Sequence, residues 1–202
     1  MKITGIKQQL KQTGRYSIYV EGKYVFSLSS ESLLDSKLVS GQELSEQQIR
    51  EYKQLSSDDK LYNLTLRYVA IRPRSAWELQ NYLDRKQAPP ALAIKILNKL
   101  SDIGLINDEA FAQAYVNDRR LLRPTSRRKI TLELRKKHVA DEIIQTTLGN
   151  EQDTDQAALQ DIIRRKRSQS RYQDDLKLMQ YLSRQGFNYG DIKSALETDK
   201  QS

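Results

Sequence analysis

Arg72-Pro73-Arg74-Ser75-Ala76-Trp77-Glu78-Leu79 returns, fifty-one residues further on, as Arg123-Pro124-Thr125-Ser126-Arg127-Arg128-Lys129-Ile130. The same offset carries Leu83 onto Leu134, Lys86 onto Lys137 and Leu97 onto Leu148. A weaker copy lies forty-eight residues beyond, taking Ile130 to Leu178, Ile144 to Ile192 and Leu148 to Leu196. A fixed period in this range marks stacked supersecondary units. Each unit buries its apolar stripe only against a neighbour, which leaves an extended surface suited to another macromolecule rather than a metabolite.

Working outward from the repeated segment, the pattern is helical from Ser57 onward. Leu61, Leu64, Tyr68 and Ile71 mark the face of a first helix. Pro73 stops it, because proline has no N–H to donate and disfavours the helical conformation before it. Ser75-x-x-Glu78 is a capping-box pattern that restarts the chain, with Leu79 and Leu83 as the next stripe. Pro89-Pro90 breaks that helix, and Ala93, Leu97 and Leu100 run to Gly104. A second trio opens at the N-cap pair Asn107-Asp108. Its stripes are Phe111, Tyr115 and Leu122, then Ile130 and Leu134, then Ile143, Ile144 and Leu148, closed by Gly149-Asn150. A third begins near Asp153 to Asp155 with Leu159, Ile162 and Ile163. It continues with Leu178, Tyr181 and Leu182 to Gly186, and ends with Ile192 and Leu196. A frayed tail is expected after Glu197.

The first residues differ. Tyr16, Ile18 and Val20 alternate with other residues, and after Glu21-Gly22-Lys23 the alternation resumes at Tyr24, Phe26 and Leu28, which reads as a β-hairpin. Ile3 to Leu10 is a further strand candidate, since two strands alone are marginal in water. A short helix is expected over Ser30 to Leu38, ending near Gly41. Another should start at the capping box Ser45-Glu46-Gln47-Gln48 and run to about Leu55. The expected division is 1–56 for the hairpin and short helices, then three-helix repeats over 57–106, 107–150 and 151–202.

Charge narrows the function. The 202 residues carry 34 Lys and Arg against 26 Asp and Glu, a formal +8, so an acidic partner is expected. No cysteine is present, which removes disulfides and thiolate metal sites. His138 is the only histidine, which excludes a His cluster, and it sits in no recognisable triad. No glycine-rich phosphate loop occurs. Asp58-Asp59 and Asp174-Asp175 sit where helix starts are expected, and the dipole explains them. No enzyme and no cofactor are expected. Neither a signal-length apolar run nor a membrane span is found, so a cytoplasmic protein is expected.

Three basic groups are candidates for the contact. Arg119, Arg120, Arg123, Arg127, Arg128, Lys129, Arg135, Lys136 and Lys137 crowd the second trio, with Glu133 the only acid from 119 to 138. Arginine at a helix start opposes the macrodipole, so Arg127 and Arg128 point to an anion nearby. A solvated helix face is the plainer explanation of such a run. Arg72 and Arg74 form the second group: a helix corner needs Pro73 and Ser75 but neither arginine. Arg164-Arg165-Lys166-Arg167 with Arg171 is the third, equally consistent with solubility alone. Trp77 is expected to pack within or between repeats. Tyr16, Tyr19 and Tyr24 either stack on bases or cover a small core.

The motif Arg72-Pro73-Arg74-Ser75-x-x-Glu78-Leu79-x-x-Tyr82-Leu83, then Gly104-Leu105-Ile106-Asn107-Asp108-x-x-Phe111-Ala112-x-x-Tyr115-Val116-x-x-Arg119, resembles the RecX family of bacterial regulatory proteins. Arg123-Pro124 to Glu133-Leu134-x-x-Lys137 and the late Leu182-x-Arg184-x-Gly186-Phe187 extend the likeness over roughly 57–197. Departures fall at caps and turns: Ser126 stands for a common glycine, Gln87 and His138 for the glycine closing each second helix, and Asn107 for an aspartate.

The resemblance implies a mainly α protein: three tandem three-helix repeats in an elongated, bent array with a small N-terminal β-hairpin element. It implies a non-catalytic modulator of the RecA recombinase in recombinational DNA repair and the SOS response. Such a protein binds the RecA–single-strand DNA filament and lowers ATP hydrolysis, strand exchange and coprotease activity. The expected partners are the RecA filament and single-stranded DNA, with no membrane, for a monomer. The expected contact residues are Arg72, Arg74 and the nine cations from Arg119 to Lys137. A stand-alone nucleic-acid-binding protein of helix-turn-helix-like units is the alternative, and an adaptor for another acidic protein is a third possibility.

Overall fold

The computed structural model describes residues 1–149 and 153–199. Three strands open the chain, β1 (Ile3–Gln8), β2 (Arg15–Val20) and β3 (Lys23–Ser29), antiparallel and in the order β1-β2-β3. The rest is helical: α1 (Ser30–Ser36), α2 (Glu46–Ala70), α3 (Ala76–Arg85), α4 (Pro90–Asp102), α5 (Asp108–Leu122), α6 (Arg127–Arg135), α7 (Asp141–Leu148), α8 (Asp153–Arg167), α9 (Asp175–Arg184) and α10 (Tyr189–Asp199). A 3-10 turn at Ser170–Tyr172 precedes α9. The protein is therefore mainly α with a small N-terminal sheet. Asn150 and the 151–152 boundary lie outside the described residues. So do residues 200–202, and α10 continues through Asp199, past the expected end at Glu197.

The hairpin turns at Glu21-Gly22, both at positive φ (49° and 77°), with Val20 paired to Lys23. That two-residue geometry matches the twist of the flanking strands. Beyond it the ladder slips. Ile18 faces Phe26 while Tyr19 faces Tyr24, which leaves Val25 as an extra residue. A bulge of this kind re-aims its neighbours. Phe26 stays in the core at 2% exposure, whereas Tyr24, which the period-two pattern placed beside it, is 56% exposed.

The sequence predicts two helices around Ser56, and the structure has one of 25 residues. The capping box at its start forms as expected, with Gln48 N–H on Ser45 Oγ (3.1 Å) and Ser45 N–H on Gln48 Oε1 (2.9 Å). Asp59, which reads with Asp58 as a fresh helix start, instead holds the sheet, as does Ser56. The Ser56 hydroxyl accepts the Ser27 N–H at 3.3 Å. The Asp59 carboxylate accepts the Ser29 N–H and the Ser32 hydroxyl, each at 2.7 Å. Asp58-Asp59 is thus mid-helix, while Asp174 does cap α9. Ile3, Ile18, Val20, Phe26 and Leu28 form a core with Leu38, Leu44 and Ile49.

The chain divides into two compact units, Met1–Ile71 with Leu83–Ile96, and Arg72–Tyr82 with Leu97 onward. In the second unit, α5–α7 enclose Phe111, Val116, Ile130, Leu134 and Ile144, and α8–α10 enclose Leu159, Ile163, Leu178, Leu182 and Ile192. Some expected stripe residues stay outside these cores: Leu122 and Ile71 end their helices in solvent.

Equivalent positions join successive segments. The first free N–H of α3, at Ala76, donates to Asp108 Oδ1 on α5 at 2.8 Å. Fifty-one residues on, the Arg127 N–H of α6 donates to Asp155 Oδ1 on α8, also at 2.8 Å. An acid beside a helix start satisfies an orphan donor and the dipole together. A left-handed residue follows each second helix: Gln87 (φ 56°), His138 (56°) and Gly186 (94°). His138 stacks on Trp77, centroids 4.9 Å apart, so Trp77 packs between segments as expected. At Gly186 the approach is backbone-close, and the neighbouring Gln185 O accepts the Ser126 N–H at 3.1 Å.

Glu78 tightens the first joint. Its N–H donates to Ser75 Oγ (3.2 Å), half of the expected capping box, while its carboxylate turns to Arg72 (3.1 and 3.2 Å) and Lys137 (2.5 Å). Burial alone would raise this carboxyl. The Arg72 and Lys137 hydrogen bonds and charges outweigh it and hold Glu78 below its ordinary range.

Two outcomes follow for stability. A Cβ at Gly186 would lie 2.8 Å from Lys129 Cβ and closer still to Ser126 Oγ, at positive φ, while one at Gly149, also at positive φ (63°), would meet nothing among the described residues. Gly149→Ala should therefore cost about 1–3 kcal/mol of backbone strain, and Gly186→Ala, which adds the clash, clearly more. Equal urea midpoints for the two variants would contradict this. For Glu78→Gln a loss of about 1–3 kcal/mol is expected at neutral pH. Because the folded carboxyl titrates low, the wild-type advantage is complete above the usual glutamate range and disappears as pH falls through the folded value. Denaturation midpoints from pH 7 to 3 should converge, and a pH-independent gap would refute the assignment.

Candidate functional site

The structure separates the eleven expected contact residues by what already holds them. Arg72 and Lys137 grip Glu78. Arg119 donates to Glu133 (2.8 Å) and the Tyr115 hydroxyl (2.7 Å), with its guanidinium 4.9 Å from the Tyr115 ring centroid. Burial raises the Tyr115 hydroxyl pKa, as do its hydrogen bond to Glu133 and the Glu133 charge, while Arg119 opposes them. Arg135 pairs with Asp141 at 2.7 Å on the surface. Lys129 reaches the C-terminal end of α9, donating to Arg184 O (2.9 Å) and Gln185 Oε1 (3.1 Å).

Arg127 resolves the helix-start argument differently from Arg128. Its guanidinium donates to Leu148 O at the end of α7 (3.1 Å), and its N–H meets the Asp155 carboxylate. The anion that the sequence called for at Arg127 is therefore Asp155 of the same chain. Burial pushes the Asp155 carboxyl above its ordinary value, against the hydrogen bond and charge of Arg127. Arg74 is half-buried and engaged. That leaves Arg120, Arg123, Arg128 and Lys136, all exposed, whose side chains make no hydrogen bond or ion pair with the described residues.

The third basic group is mostly tied. Arg164 and Arg165 share Asp161 at 2.8 Å each. Arg167 joins Asp175 (2.5 Å) and Asp199 (2.9 Å). Lys166 lies over the Tyr172 and Tyr181 rings, and Arg171 over Tyr172.

Between α5–α6 and α8–α9 runs an open groove of about 610 Å³. Arg119, Arg123, Lys129, Arg165 and Lys166 line it against one carboxylate, Glu133. Leu122 lines its rim at 76% exposure, and Leu121 beside it is 72% exposed. The helical stripe had placed Leu122 in the core. No local signal separates this pair from the adjacent pair Ile162-Ile163, which is buried. No group of three or more acidic or histidine side chains able to hold a metal occurs among the described residues. No described helix is long and apolar enough to cross a membrane.

Comparison with known proteins adds to this geometry. A family model described as "Regulatory protein RecX N-terminal domain" matches residues 1–45, and one described as "RecX, second three-helix domain" matches residues 107–148. A "Regulatory protein RecX" of Lactobacillus johnsonii is 31% identical over 72% of this chain and 54% of its own length. That of Listeria welshimeri is 35% identical over 77% of this chain and 58% of its own. The chain thus spans little more than half the length of these two relatives. That of Bacillus subtilis is 28% identical over 96% of this chain and 76% of its own. A solved "Crystal structure of regulatory protein RecX" superposes with a TM-score of 0.71 at 27% identity, over 97% of this chain and 98% of that one. The fold of a Lactobacillus salivarius RecX is similar as well, with a TM-score of 0.58 at 23% identity over 72% of this chain and 97% of that one. Sequence matches at both the sheet and the middle helices, with a structural likeness along nearly the whole chain, agree on one assignment: the chain belongs to the RecX family.

Proposed function

We propose that this protein binds the RecA–single-strand DNA filament and lowers its ATP hydrolysis, strand exchange and coprotease activity. The contact is made by the end of α5 and the start of α6. The observation that carries the reading is the set of exposed cations there, Arg123 and Arg128 with Arg120, whose charge also acts on Asp155, joined by Lys136 at the far end of α6; none of their side chains forms a hydrogen bond or ion pair with the described residues. Arginine suits such a surface because it stays charged and grips carboxylate or phosphate in two places. Leu121 and Leu122 beside them favour a partner with protein as well as phosphate on its surface, since apolar side chains gain from burial against protein. The family name carried by the relatives, a regulatory protein, agrees with a binding role.

The mechanism is occupancy. A bound regulator changes a filament's activity only through different affinities for its states, so the contact is tighter to the form that hydrolyses ATP slowly. The three-helix repeats over 57–106, 107–150 and 151–202 supply successive contact segments in this scheme. Arg74, Arg127, Arg135 and the other internally held cations orient the surface rather than meet the partner first.

Titrating the protein into RecA ATP hydrolysis on single-stranded DNA should lower the rate progressively. A flat response to stoichiometric excess would reject the proposal. Arg123→Gln with Arg128→Gln should shift the half-inhibiting concentration at least about tenfold, each lost charge-assisted contact being worth roughly 1.5–3 kcal/mol. The thermal midpoint should stay unchanged, because neither side chain has a hydrogen-bond or ion-pair partner among the described residues. Unaltered inhibition by that double variant would move the interface elsewhere.

A further inference from the structure

The first compact unit contains a second basic site, and it differs in kind from the α5–α6 surface. Arg15 on β2 is buried, 8% exposed. Its hydrogen bonds run from Nε and Nη2 to Ser27 Oγ (3.2 and 2.9 Å), Ser27 O (2.9 Å), Ser56 O (3.1 Å) and Ser56 Oγ (3.3 Å). Every acceptor is neutral. Dipoles satisfy the donors without cancelling the charge, and a buried cation without a counter-ion is strongly disfavoured. Nη1 takes part in none of these bonds. No buried side-chain nitrogen or oxygen among the described residues lacks a partner, so Nη1 reaches open space.

That space is a cavity of about 440 Å³ between β3 and α2. Lys53, Lys60 and Arg67 line it with Arg15, and no aspartate or glutamate does. The three α2 cations repeat every seven residues, two helical turns apart, so they mark one face of the helix. Lys53 to Arg67 covers ~21 Å at the helical rise. A single phosphate or mononucleotide spans only part of that length. Tyr24, displaced outward by the Val25 bulge, stands at the same cavity with its ring edge-to-face against Tyr19 at 6.2 Å. A supported, exposed aromatic beside a track of cations is the arrangement that takes a base and its phosphates together.

We infer that this cavity binds the phosphodiester backbone of single-stranded nucleic acid, with Arg15, Lys53, Lys60 and Arg67 along the phosphates and Tyr24 stacked on a base. The site belongs to the sheet and α2 alone, and it does not depend on the recombinase contact proposed for the second unit. A track on one helix face selects a flexible strand, and stacking needs an unpaired base. A duplex of the same length therefore binds more weakly.

The test uses the full chain and a fluorescein-labelled fifteen-residue oligothymidylate, followed by anisotropy across a salt series. Lys60→Gln with Arg67→Gln should lower the magnitude of the log–log salt slope by about 1.4, two phosphate contacts at ~0.7 each. Tyr24→Ala should weaken binding at least about fivefold. All three side chains are exposed, and an unchanged circular dichroism melt shows that the fold is intact. Inorganic phosphate and thymidine monophosphate should compete only at far higher concentration than the oligomer. Equal competition would reduce the site to a single-phosphate pocket and overturn the strand assignment. Photocrosslinking with 5-iododeoxyuridine in the oligomer should label Tyr24. Crosslinks confined to the second unit, with affinity and slope unaffected by the three substitutions, would also overturn it, as would displacement by polyglutamate as effective as by the oligomer.

Discussion

A helix start needs an acceptor for its free amides, and the second unit supplies it from the next helical segment. Ala76 of α3 and Arg127 of α6 each donate to an aspartate near the beginning of the following trio's first helix, at the same 2.8 Å. Without Asp108 and Asp155 those amides would be half-buried donors lacking a partner, beside an uncompensated positive dipole end. Everything else at the joints depends on that placement. The stacking of Trp77 on His138, the closure of Arg72 and Lys137 on Glu78, and the seating of Ser126 on Gln185 all require the segments already to be in register. Two joints with equivalent residues explain why the period is visible at all: the repeated positions are the ones that must meet a neighbour.

The periodicity therefore made the helices of the second unit legible, along with the caps at Ser45, Asn107, Ser126 and Asp174, because these are local effects within a turn or two. The break expected between Leu55 and Ser57 does not occur, for a physical reason. Serine and aspartate are favoured at helix starts because they accept N–H bonds, and that capacity serves equally well for amides brought by another element. Here the amides belong to Ser27 and Ser29 of β3. Tyr24 was equally opaque, since a bulge is a property of the pairing between two strands rather than of either one.

The candidate site was legible in charge and illegible in allocation. Composition showed that the second trio carries more cations than acids. It did not show that Lys137 is held by Glu78, 59 residues away, or that Lys129 closes the end of α9. Such pairings depend on the tertiary joint. An exposed pair such as Arg135–Asp141 adds little to stability, since water screens it. The Glu78 cluster, with its carboxylate 9% exposed, contributes more. Cations without any such role are the ones left to act on something outside the chain.

Glu78 and Arg15 show two treatments of the same problem, a charge taken out of water. Glu78 receives two cations, and its carboxyl is held in the ionised form by them. Arg15 receives five contacts from hydroxyls and carbonyls and no anion, while its neighbours across the cavity are cations too. Neutral acceptors fix the direction of a guanidinium but leave its field intact, and low-polarity walls extend that field into the opening. As a brace between β3 and α2, Arg15 uses the donor fork that no neutral side chain has. The bracing alone does not account for Lys53, Lys60 and Arg67 lining the same opening, and an anion arriving with a ligand does.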